Sequence, residues 1–162
     1  MTTHPAPSGH RALRRGRHSV PGGVYAITVV CAARARRFVP GPVASAVAST
    51  LENPLLWGQA VPLCWVLMPD HVHFLVELGR DRSLGRLLQR VKSVTSTVAR
   101  RVDVDEPPLW APAYHDRALR AEDDRRAVAR YLLDNPVRAG LVERVQAYPY
   151  WYCAWEAQGD WG

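Results

Sequence analysis

Cys64–Glu77 reads CWVLMPDHVHFLVE. The run Cys64–Leu67 is apolar, Met68-Pro69-Asp70 has the chemistry of a tight turn, and His71–Leu78 is rich in β-branched and aromatic residues. The stretch therefore predicts two antiparallel strands, the first over 59–67 and the second over 71–78. In a strand, side chains at i and i+2 share a face. His71 and His73 then project together, and Val72 points into the core. Two imidazoles on one face can reach one cation. A histidine pair of this kind is also common without a metal, and two ligands leave a coordination shell incomplete.

Outward from this hairpin, Val24–Val30 (VYAITVV) predicts a first strand, followed by a basic loop with Arg34, Arg36 and Arg37. Pro42–Leu51 predicts a helix that Asn53-Pro54 ends. Ser83 is a cap for a long helix over 84–102, with Leu84, Leu87, Leu88, Val91, Val94 and Val98 at helical spacing. Its Arg86, Arg90 and Arg100 fall elsewhere on the wheel. Pro107-Pro108 breaks the chain, Tyr114–Leu119 predicts a fourth strand, and a last helix is expected over 122–134, stopped by Asn135-Pro136. The order βαββαβ, plus a terminal helix, is that of a ferredoxin-like α+β fold: a four-stranded antiparallel sheet with two helices on one face. The expected division is a basic arm over 1–23, one domain over 24–147 and an aromatic tail over 148–162.

The chain has 162 residues, 48% hydrophobic and 22% charged. That suits one soluble domain, and no apolar run approaches the roughly 20 residues of a membrane span. With no secretory h-region at the Arg-rich start, the cytoplasm is the expected compartment, with association to the nucleoid when DNA is bound. Net charge is +6, and Lys92 is the single lysine among 21 basic residues. Arginine's planar fork suits phosphate, although a GC-rich coding bias produces the same composition. Cys31, Cys64 and Cys153 form no C-x-x-C pair, so a zinc ribbon is not expected, and Cys31 and Cys64 read as buried thiols.

Tyr131 and Asn135 lie four apart and so share a helical face. The Asn oxygen is a hard donor suited to Mg²⁺ or Mn²⁺. The plainer reading makes Tyr131 a core aromatic and Asn135 a helix stop. His115, beside Asp116 in the fourth strand, is a candidate DNA contact or an imidazole oriented by that carboxylate. Arg11, Arg14, Arg15, Arg17, Arg86, Arg90, Lys92, Arg117 and Arg138 are candidate phosphate contacts. The tail, with Tyr148, Tyr150, Trp151, Tyr152, Trp155 and Trp161, either stacks on unpaired bases or packs onto the domain.

Three strings, MPDHVHFLVE, WAPAYHDRALR and YLLDNPVRAGLVERV, occur in this order. Together they resemble the REP-associated tyrosine transposases, a branch of the single-tyrosine HUH transposases. The likeness runs from about residue 10 to 150 and extends to the opening HRALRRGRHSVPGGVYAIT. It implies a metal held by His71 and His73, with Asn135 completing the site, and Tyr131 as nucleophile. It also implies cleavage of single-stranded DNA near hairpins in repetitive palindromes, by a monomer or a homodimer. The rival expectations are a hairpin-binding protein that does not cut, and a metal-dependent hydrolase that uses water.

Overall fold

The computed structural model describes residues 19–80 and 83–157. Arg11, Arg14, Arg15, Arg17 and Trp161 lie outside them. The elements are β1 (Val24–Cys31), α1 (Pro42–Glu52), α2 (Pro54–Trp57), β2 (Val61–Met68), β3 (His71–Glu77), α3 (Leu84–Val102), β4 (Trp110–Ala118), α4 (Arg125–Leu133), α5 (Asn135–Arg138), β5 (Trp151–Cys153) and α6 (Ala154–Ala157).

The sheet is antiparallel in the order β4-β1-β3-β2-β5. Its first four strands reproduce the expected βαββαβ arrangement, and β5 adds an edge that periodicity did not reveal. Three residues are too few for an alternation signal, and β5 is held by its neighbours. The Tyr148 hydroxyl donates to Leu67 O (2.6 Å), and Leu67 N donates to Tyr150 O (2.9 Å). Tyr148 and Tyr150 are buried, and Trp151, Tyr152 and Trp155 pack against the core. The aromatic segment up to Trp155 is thus part of the packed domain.

Alternation sorts the sheet into two faces. Ile27, Val29, Val72, Phe74 and Val76 are buried beneath the helical layer of α1, α2 and α3. Trp57 of α2 meets Phe74 edge-on at 5.5 Å, and Trp110 Nε1 donates to Thr95 of α3 (2.9 Å). The opposite face carries His71, His73, Leu75 and Glu77 in one line. There α4 covers β2 and β3 with Ala129, Leu132 and Leu133, at i, i+3 and i+4. Arg125 pins its start to Glu77 (2.7 Å). All three cysteines are free and buried, and burial pushes the Cys31 thiol up to about 12.

Two boundaries differ from expectation. The last helix begins at Arg125, because the Asp124 carboxylate accepts from Arg126 N and Ala127 N and so caps it. Asp124→Ala is expected to cost about 1 kcal/mol in urea unfolding. Asn135-Pro136 does end the helix: α4 stops at Leu133, and a separate one-turn helix, α5, follows. Pro136 lacks the N–H that would reach Leu132 O, but the Asn135 side chain donates to that carbonyl instead (2.7 Å). Helical bonding resumes where Arg138 N donates to Asp134 O (2.9 Å), and the chain turns at Gly140 with φ +71°. β4 also begins earlier than expected, at Trp110.

Candidate active site

Residues paired across antiparallel strands face the same side. His73 pairs with Thr28 of β1, and Thr28 pairs with His115 of β4. A single row therefore carries His115, Thr28 and His73 on the face covered by α4. Asp116, paired with Ile27, alternates to the other face of β4.

The carboxylate that orients an imidazole is Asp70. His71 Nδ1 donates to Asp70 Oδ1 (2.6 Å), while Arg34 Nη1 stands 3.5 Å from Asp70 Oδ2. Desolvation lifts the Asp70 carboxyl, but the His71 hydrogen bond and charge, with Arg34, outweigh it and hold it below the usual range. His73 Nδ1 pairs with Thr28 Oγ1 at 2.8 Å. With both Nδ1 atoms engaged, the two Nε2 atoms converge to 3.0 Å. Neither Asp70 nor Thr28 had been singled out. Asp70 was visible as the turn residue before His71, whereas Thr28 is 45 residues from its partner and depends on strand register.

This donor set fits a divalent cation. An acceptor at His71 Nδ1 keeps that ring's proton there and leaves Nε2 with a lone pair. A separation of 3.0 Å is that of adjacent ligands on one ion about 2.1 Å from each. Among the described residues no cluster of three or more His, Cys, Asp or Glu exists that could hold a metal. A third protein donor would thus be an amide oxygen such as that of Asn135, whose bond to Leu132 uses only the amide nitrogen.

Tyr131 is 65% exposed, on the outer side of α4. Seven residues on, after two helical turns, Arg138 sets its guanidinium 4.1 Å from the Tyr131 ring centroid. The same guanidinium acts on His73. Burial, then the charges of His71 and Arg138, push the His73 imidazole down to about 4.

The sign for stability follows. The unfolded imidazole, near 6.5, binds a proton that the folded one refuses down to about 4, so stability falls as pH drops through this window. In chelator, the folded protein should lose about 2 kcal/mol between pH 6.5 and 4 through this group. His73→Asn should flatten that part of the profile in urea titrations, leaving only the loss common to the surface carboxylates.

The other candidates divide. His115, Arg117 and Arg138 lie on the side of the histidine pair, with Arg117 Nη1 3.4 Å from Asp123. Arg86, Arg90 and Lys92 belong to α3, in the layer behind the sheet, away from the pair. Arg90 donates to Leu55 O (2.8 Å) and Lys92 to Ala111 O (2.6 Å). Among the described residues, no helix is long and apolar enough to cross a membrane.

A family model described as "Transposase IS200 like" matches residues 20–135. A REP-associated tyrosine transposase of Escherichia coli (strain K12) is 28% identical over 88 residues, covering 53% of this chain and 50% of that protein. The chain therefore spans about half the length of that relative. A Haemophilus influenzae protein (strain ATCC 51907 / DSM 11121 / KW20 / Rd), provisionally given the same name, is 25% identical over 142 residues, covering 80% of this chain and 78% of its own. Among solved structures, a REP-associated tyrosine transposase bound to a REP hairpin superposes with a TM-score of 0.62 at 21% identity, covering 83% of this chain and 79% of that one. A Deinococcus radiodurans protein, provisionally described as a transposase, gives 0.54 at 19%, covering 74% and 95%. At these identities the structural likeness speaks for the fold.

Proposed function

The chain belongs to the IS200-like transposase family, and from that premise we propose that it nicks and rejoins single-stranded DNA at hairpin-forming palindromic repeats. Tyr131 is the nucleophile, and His71, His73 and Asn135 hold Mg²⁺ or Mn²⁺. The named relatives support the substrate class. One observation carries the chemistry: two Nε2 atoms meet at 3.0 Å on the sheet face that α4, the helix of Tyr131, covers.

When bound, the cation supplies Lewis-acid neutralisation of charge on the phosphate oxygens. Asp70 and Thr28 keep the two rings from rotating. Arg138 places a fixed positive charge beside the phenol, where an incoming phosphodiester adds negative charge. The phenol gives up its proton and Tyr131 Oη attacks phosphorus. An Oη–P bond forms, the P–O3′ bond breaks, and O3′ leaves with the electron pair and takes a proton. The product is a 5′-phosphotyrosine and a free 3′-OH. One phosphoester has been exchanged for another, so a second 3′-OH reverses the step without ATP.

The test incubates the protein with a single-stranded hairpin oligonucleotide and Mn²⁺, then separates the products under denaturing conditions. A covalent adduct mapped to Tyr131 by peptide mass, and absent in chelator, is expected. Tight binding with no adduct identifies a non-cleaving hairpin binder. Nicked DNA with no adduct identifies a hydrolase.

A further inference from the structure

We propose that single-stranded DNA flanking the cleavage point leaves the histidine face over the Arg34–Arg37 loop and lies in a polar groove between α3 and the edge strand β4. The inference rests on the reading above and names where the strand goes.

Two hollows of about 430 Å³ each adjoin at Lys92 and together make the groove. Its helical wall is a stripe of Gln89, Lys92, Ser93, Ser96 and Arg100. These recur at i, i+3, i+4, i+7 and i+11, on one side of α3, over about 16 Å at 1.5 Å per residue. At about 3.4 Å per stacked nucleotide, that length holds four or five. The opposite wall offers the half-buried Tyr114, a ring of the kind on which an unpaired base stacks, and the buried Trp110 forms its floor. Arg37, Lys92 and Arg100 outnumber the single lining acid, Glu106. Guanidinium, ammonium and hydroxyl donors on one wall, with the Tyr114 ring on the other, suit a single-stranded polyanion.

A strand of another protein fits poorly. Pro112 removes an N–H from β4, and Lys92 Nζ already donates to Ala111 O and Pro112 O (2.6 and 3.3 Å).

One end of the groove abuts the turn that carries the histidines. Trp110 pairs with Cys31, whose N–H donates to Asp70 O (2.9 Å). Phe38 lies 5.2 Å from the Trp110 ring and donates its N–H to Pro69 O (2.9 Å). Between these points the loop bends through Ala33 and Arg34, both at φ 54°, a conformation that L-residues seldom adopt. The bend sends Arg34 toward Asp70 on the histidine side. Arg37 goes to the groove side, where it donates to Pro107 O (3.1 Å) and faces Glu106 (3.7 Å). The loop thus lays a basic path from one face of the sheet to the other.

The experiment uses the full chain and a hairpin oligonucleotide carrying either a two- or a ten-nucleotide single-stranded flank. The groove variants are Arg100→Gln and Ser96→Asp, both on the solvent side of α3. Arg101→Gln, next to the groove but not lining it, matches the loss of charge. Wild type should bind the long flank more tightly than the short one. Each groove variant should lose about three- to tenfold on the long flank only. For Arg100→Gln the slope of log affinity against log salt should fall by about 0.7, one phosphate contact on a single strand. Arg101→Gln should leave the difference between flanks intact. If both groove variants keep the long-flank advantage and the wild-type slope, the groove is not the path. That result is separable from failure of the enzymatic reading, which is scored by the Tyr131 adduct on the short-flank oligonucleotide in wild type.

Discussion

Tyr131→Phe abolishes the covalent protein–DNA adduct and leaves hairpin affinity within about twofold of wild type. The change removes one oxygen atom. Tyr131 is 65% exposed, so stability should move by no more than about 0.5 kcal/mol. The stacked Arg138 keeps an aromatic face against it. What disappears is the one atom able to bond to phosphorus. The expected loss is at least 10³-fold in cleavage, about 4 kcal/mol in barrier. Gel electrophoresis after denaturation reads the adduct, and a filter-binding titration reads affinity. Adduct formation at wild-type rate by the Phe variant would move the nucleophile elsewhere. Nicking that survives without an adduct would hand the chemistry to water.

The double substitution His71→Ala, His73→Ala gives the second large effect, again at least about 10³-fold in cleavage. Here the physical cause is loss of both Nε2 donors, with Asp70 and Thr28 left holding nothing. DNA binding should persist at low salt and weaken steeply as salt rises, because phosphate contacts by arginine do not pass through the imidazoles. Isothermal titration with Mn²⁺ reads the metal directly: wild type should bind and the double variant should not. Unchanged Mn²⁺ affinity in the variant would place the ion away from these rings. The variant also deletes buried atoms, so thermal unfolding must confirm that it remains folded at the assay temperature.

Much of the architecture was legible before any coordinates. Ser83 and Leu84–Val102 matched cap and helix residue for residue, because a polar cap followed by a long apolar stripe is a local signal. The two strands around Pro69-Asp70 were equally local. β5 was not legible, since its three residues take their conformation from β2 and from the buried Tyr148 and Tyr150. The short helix α5 across Pro136 was also hidden. It depends on a side-chain amide replacing a backbone donor, and periodicity does not register such an exchange.

The site divides in the same way. Local order along the chain predicted that His71 and His73 share a strand face, and that Tyr131 and Asn135 share a helical one. Which side of the sheet α4 covers was not a local question. The answer came from Ala129, Leu132 and Leu133 seeking cover on β2 and β3, with Arg125 on Glu77. The partners that steer the rings divide likewise: Asp70 is adjacent in sequence, whereas Thr28 reaches His73 only through the β1–β3 register. Short-range spacing encodes direction along one element. Burial of apolar surface between distant elements decides which of those directions converge.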